Sequence, residues 1–384
     1  MIKALGTLVA CGLVVGGCAA DTTPDDVIRI GLAGPVGETV GRAMLQGAML
    51  AVEDVNADGG IRGRLLELDV RDDGMDPQRA IEVAAALRDE SDVVAVVGPL
   101  TSGTTLAAAD VYGDPANGLL SISPGATSPQ LTGWSDWVFR VCPSDLQQAD
   151  ALADWAHEHL GLRRAEILYV NDAYGRGVVG AFAPAFEELG GTIVGLDPYL
   201  PALLESGVPL EPYLERAIRR GMDALVIVGV GDEVIDILRT ARSLGYRGDV
   251  LGTDGLMGIV QAGSAAEGVY VAAGFLSDRP TEAAREFVRR YVERFDAAPR
   301  DGSAHAYDAV MIIARAIREV GIDRRAIRDY VAGIGTASPA FEGVTGTIRF
   351  DGNGDAIGKD VVIGAVREGA MVTVQASDSV EAHR

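Results

Sequence analysis

Short apolar, β-branched runs alternate along this chain with stretches whose apolar positions recur every three to four residues. The first kind of pattern predicts buried strands and the second predicts helices with one buried face. Strands are expected over residues 27–33, 65–70, 93–97 and 119–123, with helices over 40–56, 76–88 and 104–112 between them. Asp76-Pro77 reads as a helix start, the acid capping and the proline occupying the first turn. A second series starts near Asp145, with strands over 165–170, 192–196, 224–228, 250–252 and 269–272. Its helices are expected over 147–160, 178–189, 212–220 and 233–244, followed by three more over 282–295, 304–320 and 324–333. Strands over 346–350, 361–366 and 371–374 close the pattern. Repeated strand–helix alternation predicts parallel sheets covered by helices on both faces. Two Rossmann-like α/β lobes account for the two series.

The first residues do not fit this pattern. Lys3 precedes an apolar run over residues 4–15, and Gly16 and Gly17 lead into Cys18. The run is too short to cross a bilayer and reads as the apolar region of a signal peptide. Val15-Gly16-Gly17-Cys18 resembles the lipobox of bacterial lipoproteins. That resemblance implies a signal peptide over 1–17, a lipidated Cys18 and membrane anchoring; a plain secretory signal cut nearby, or a buried N-terminal helix, is the alternative. The acidic stretch up to residue 26 would be a tether, and 376–384 a tail.

Composition narrows the function. Asp and Glu number 55 against 33 Lys and Arg, a formal net charge of −22, so no basic stripe exists to bind nucleic acid. Beyond Cys18 the chain has a single cysteine, Cys142, which can form neither an internal disulfide nor a cysteine zinc cluster and reads as a core residue. No nucleophile-elbow or phosphate-loop motif and no metal-ligand histidine pair occurs, so neither enzyme activity, nor a metal, nor a cofactor is expected. The Asp72-Asp73 and Asp76 cluster reads as a solvated turn and helix cap.

Ligands of open α/β sheets sit outside the carboxyl ends of strands. Four loops there carry suitable chemistry. Gly98-Pro99-Leu100-Thr101-Ser102-Gly103-Thr104-Thr105 offers hydroxyls and free amides to a carboxylate, with helix capping by Ser102 or Thr104 as the plainer reading. In Ser123-Pro124-Gly125-Ala126-Thr127, Gly125 and Ala126 admit a ligand close to the backbone and Thr127 adds a hydroxyl. From the second series, Tyr174 can cover an apolar or ammonium face, and Asp254 can pair with an amine or cap a helix.

With these residues in view, the chain resembles the type I periplasmic substrate-binding proteins of the leucine/isoleucine/valine-binding kind, which serve ABC importers. The resemblance runs from about residue 28 to 374 through ordered segments: Gly34-Pro35, residues 56–63 (NADGGIRG), 98–105, 121–129, Asp172-Ala173-Tyr174-Gly175, 304–309 and 341–346. It implies two lobes joined by a three-strand hinge. One would take residues 27–143 with about 276–360, the other about 144–275 with 361–375. It also implies that Ser102, Thr127 and the backbone at Gly125 hold a ligand carboxylate. Thr101 and Ala126 would line the same wall, Tyr174 would line the cleft from the other lobe, and Asp254 would receive the α-amino group. The implied protein is a monomeric, extracytoplasmic, lipid-anchored binding protein that passes an amino acid to ABC permease subunits. An envelope interaction or sensory lipoprotein on the same fold is the alternative. The chain departs from the family in the loop at Gly37-Glu38-Thr39-Val40 and at Val230-Gly231-Asp232, where relatives place aromatics. Glu38 and Asp232 would instead add negative charge to the site.

Overall fold

A computed structural model describes residues 27–375. The signal peptide, Cys18, the tether and the tail lie outside the described residues.

The first sheet has the order β2-β1-β3-β4-β5 and is parallel throughout. Its strands are β1 (Val27–Gly34), β2 (Leu65–Asp72), β3 (Val93–Val97), β4 (Ser121–Ser123) and β5 (Val138–Arg140). Helices α1 (Thr39–Ala57), α2 (Pro77–Asp89) and α3 (Ser102–Tyr112) connect the first four. All five β3 residues are buried, as expected of a β-branched strand covered on both faces. Helix α2 starts as its sequence predicts: Asp76 accepts from the Arg79 amide and Pro77 enters the first turn. Strand β5 was not anticipated, because its three residues, unlike those of β4, do not continue an apolar run such as Leu119-Leu120.

The second sheet has the order β14-β13-β10-β9-β8-β6-β7. Helix α4 (Asp145–Asp154) leads into β6 (Arg164–Val170), then α5 (Ala173–Glu188) and β7 (Thr192–Tyr199). Next come α6 (Pro201–Glu205), α7 (Glu211–Arg219), β8 (Ala224–Val228), α8 (Glu233–Ser243), β9 (Asp249–Gly252) and β10 (Val269–Ala273). Strands β6 to β10 pair in parallel, but β13 (Val362–Arg367) and β14 (Ala370–Thr373) add an antiparallel hairpin at one edge. This sheet is therefore mixed rather than parallel throughout. The predicted helix over 147–160 starts at Asp145 and gives way at its end to a π-turn, Trp155–His159. Helix α5 starts five residues before the predicted 178, because the Asp172 side chain caps it and Gly175 and Gly177 lie inside it.

The chain then returns to the first sheet as α9 (Glu282–Phe295), α10 (Asp301–Val320) and α11 (Arg324–Ala332). Val310, Ile313, Ile317 and Ile327 from these helices share one core with Ile28, Ile30 and Leu32 of β1. A hairpin, β11 (Phe341–Gly343) and β12 (Gly346–Ile348), follows. The chain thus passes between the sheets three times, after β5, after β10 and between β12 and β13. Asp301 and Gly274 bring two of these crossings together. The Phe275 amide donates to Asp301 Oδ1 at 2.6 Å, and a side chain at Gly274 would meet both Pro143 and His305. At the third crossing the buried Lys359 ammonium donates to the Thr345 carbonyl at 3.1 Å and hydroxyl at 2.5 Å, and burial lowers its pKa to about 8. Among the described residues, no helix is long and apolar enough to cross a membrane.

Candidate functional site

The loop between β3 and α3 begins at Gly98, whose φ of 107° and close approach to the Ala33 carbonyl leave no room for a side chain. Thr101 caps α3, accepting from the Thr104 amide at 3.4 Å, with the two hydroxyls 2.8 Å apart. The cap is thus neither Ser102 nor Thr104. Ser102 is 1% exposed, and its Oγ accepts from the Ser128 amide at 3.1 Å. That bond ties the first loop to the second and leaves the Ser102 proton free to donate. The opening amides of α3 have no intrahelical acceptor and point the same way.

The second loop, after β4, is folded onto Ser123. That hydroxyl accepts from the Ala126 amide at 3.0 Å and donates to the Pro99 carbonyl at 2.6 Å. A side chain at Gly125 would come within 2.9 Å of Leu100 Cδ1, so glycine lets the two loops close together. Beneath them lies Arg140, the last residue of β5 and 3% exposed. Its Nη1 donates to the Thr127 and Ser128 carbonyls at 2.8 Å each, while Nε and Nη2 reach Asp355 at 2.8 Å. Arg140 turns the loop's carbonyls inward. The Thr127 hydroxyl is fully buried and has no hydrogen-bond partner of normal geometry.

The second sheet contributes Tyr174 from the first turn of α5, and Thr253 and Asp254 from beyond β9. The Tyr174 hydroxyl meets Thr253 Oγ1 at 2.7 Å, donates to Asp254 Oδ1 at 3.3 Å and accepts from the Gly255 amide at 3.2 Å. Asp254 opens a 3-10 segment, Asp254–Ala266, whose start has no side-chain cap, so the helix-cap alternative for Asp254 does not hold. Desolvation raises its pKa well above the carboxylate range, and the nearby carboxylates of Asp301 and Asp145 raise it further. An acid held this way, with no ion pair among the described residues, is suited to receive a cation from a ligand.

The structure therefore brings Ser102, Gly125, Ala126 and Thr127 together on one side and Tyr174 and Asp254 on the other, with Thr101 engaged as a cap. Asp145 links the groups. Its amide donates to the Thr127 carbonyl at 2.9 Å, and its carboxyl lies within electrostatic reach of Tyr174 and Asp254. Sequence reasoning missed Asp145, Arg140, Asp301 and Tyr199. The Tyr199 hydroxyl donates to the Val228 carbonyl at 3.2 Å and sits over Gly229, so β7 supplies an aromatic beside the aromatic-poor 230–232 loop. Glu38 and Asp232 are exposed and add no buried charge. Cys142 is in the core, 1% exposed, as read from its isolation.

Two α/β lobes joined by three crossings, with hydroxyls and amides of one gathered near an acid of the other, define a class of bilobal solute-binding proteins. The match to the periplasmic binding protein family model over residues 28–370 places the chain in that family. It belongs to the type I, leucine/isoleucine/valine-binding branch. It is 28% identical to the Leucine-, isoleucine-, valine-, threonine-, and alanine-binding protein of Pseudomonas aeruginosa over 89% of this chain and 91% of that one. The crystal structure of the leucine binding protein LivK from Thermotoga maritima superposes with a TM-score of 0.81 at 28% identity, covering 91% of this chain and 98% of that one. The branched-chain amino acid transporter substrate binding protein LivJ from Streptococcus pneumoniae, in complex with isoleucine, gives 0.81 at 28% identity, covering 91% and 100%.

Proposed function

We propose that this protein is an extracytoplasmic, lipid-anchored solute-binding protein that captures an α-amino acid between its lobes and delivers it to an ABC importer. The observation carrying this reading is the pairing of Ser102 and Thr127 on one wall with the uncompensated Asp254 on the other, a pattern complementary to a zwitterion. Relatives named for leucine, isoleucine and valine support a branched aliphatic side chain on the ligand. Lobe closure about the three crossings commits the ligand, contacts from the second lobe favouring the closed form. Cys18 supplies the anchor.

The test is a thermal-shift screen on purified protein that has been unfolded and refolded to strip carried-over ligand. The panel holds amino acids, amides, polyamines and aromatic acids at about 1 mM. A ligand at about 1,000 times its dissociation constant stabilises the native state by about 4 kcal/mol, a readily visible shift. Leucine, isoleucine or valine is expected to give it. A well-folded sample that responds to nothing in the panel overturns the reading.

A further inference from the structure

Asp145 opens α4 directly after the first crossing, fully buried, with neither carboxyl oxygen hydrogen-bonded. Oδ2 faces Gly177 in α5, beside Ser128 and Pro129 of the facing lobe. The adjacent Thr127 hydroxyl is equally buried and unpartnered. Each of these groups is the partner the other lacks. Resting on the binding function proposed above, we propose that Asp145 is a positioning residue that sets, by its protonation, whether the Thr127 hydroxyl donates to the ligand or accepts from it.

The chemistry follows from one proton. A protonated Asp145 donates to Thr127 Oγ1, leaving the threonine proton free to point at a ligand carboxylate. An ionised Asp145 accepts the hydrogen bond of the Thr127 hydroxyl, which then has only lone pairs to offer a ligand, and these repel a carboxylate. The charges facing Asp145 come from three elements. Arg140 of β5 favours the ionised form, while Asp172 at the cap of α5 and Asp254 opposite oppose it. The buried Tyr174 and Cys142 beside it are neutral, and burial raises both further. Burial outweighs the Thr127 hydroxyl and Arg140, both of which favour the carboxylate, and lifts the Asp145 carboxyl to about 7, so the switch falls within the physiological range.

The experiment compares wild type with Asp145→Asn, whose Nδ2 donates permanently as the protonated acid does. The first arm follows urea unfolding of the ligand-free protein from pH 5 to 9. Wild type is expected to lose stability relative to Asp145→Asn as pH rises from 5 to about 7 and to run parallel to it above that, because ionising a buried carboxyl is penalised; curves that are parallel from pH 5 to 7 overturn the proposal. The second arm measures leucine affinity by calorimetry over the same range. The ratio of wild-type to Asp145→Asn dissociation constants is expected to climb up to tenfold per pH unit above about 7. In a Thr127→Val background that ratio should stay flat. A climb that survives Thr127→Val means Asp145 acts by another route and overturns the proposal. Should leucine and the rest of the panel fail to bind while the first arm titrates, it is the binding function that falls.

Discussion

Replacing Asp254 by Asn separates charge from shape in the proposed amine site. Asparagine keeps an oxygen for the Tyr174 hydroxyl, which lies 3.3 Å from Oδ1, so the geometry survives and only the carboxylate is lost. Removing one member of a buried, hydrogen-bonded charge pair costs about 2–5 kcal/mol. With Tyr174 retained, a loss of about 2–4 kcal/mol is expected, roughly 30- to 1,000-fold in the dissociation constant for leucine. A proton is linked to the same event. Burial and the neighbouring Asp301 and Asp145 hold the empty-site carboxyl well above its ordinary range, favouring its protonated form. A ligand ammonium favours the carboxylate, so binding expels the proton and the Asp254 contribution to affinity rises with pH until that raised pKa is passed. Calorimetry in phosphate and in Tris should give different apparent enthalpies for wild type and show the Asp254 part of that difference gone in Asp254→Asn. In the ligand-free protein the sign is opposite. A carboxyl whose folded pKa is raised loses stability as pH rises, and Asn carries no such penalty, so Asp254→Asn should gain on wild type with increasing pH. Leucine binding within threefold of wild type would refute the assignment of Asp254 to the amine, as would an unchanged buffer dependence.

Four further outcomes test the surrounding structure. Ser102→Ala removes a donor to the ligand carboxylate and orphans the Ser128 amide, so calorimetry should show a loss of about 1–3 kcal/mol in leucine binding. Thr101→Ala removes a helix cap and should cost about 0.5–2 kcal/mol in urea unfolding while leaving leucine affinity within about threefold. A methyl at Gly255 would stand 2.6 Å from the Tyr174 hydroxyl and press on the Gly229 carbonyl, so Gly255→Ala should weaken both stability and binding, stability by about 1–3 kcal/mol. Arg140→Met removes the buried ion pair with Asp355 and one hydrogen bond from each of the Thr127 and Ser128 carbonyls and should cost about 3–5 kcal/mol in urea unfolding.

The strand–helix alternation was legible because each element is long relative to its period and its two faces differ in environment. Strand β8 matches the sequence pattern to the residue, since five consecutive apolar residues are buried together. Some short or glycine-bearing segments were not legible. The first turn of α5 contains Gly175 and Gly177, which signal a loop locally. It is helical because Asp172 caps it and Gly175 packs on the Val170 carbonyl, where a side chain would not fit. Strand β5 and the 3-10 segment after Asp254 are likewise set by tertiary contacts that no local window contains.

The same distinction divides the site. Ser102, Gly125, Thr127, Tyr174 and Asp254 lie at strand ends, where an α/β sheet exposes loops, so topology and side-chain chemistry single them out together. Arg140 and Asp145 act from below, and their residue types give the opposite signal, since a lone charge in an amphipathic pattern reads as a solvated position. Arg140 is nevertheless buried, because the carbonyls of the 125–128 loop turn inward and a guanidinium can satisfy two of them and Asp355 at once. Asp145 is buried because α4 must begin where the first crossing ends, and the Ser144–Gln147 capping box fixes that start under the Thr127 loop. The carboxylate wall and its support are therefore one unit: Arg140 sets the direction of the loop's carbonyls, and the residue that opens α4 meets the hydroxyl that loop presents.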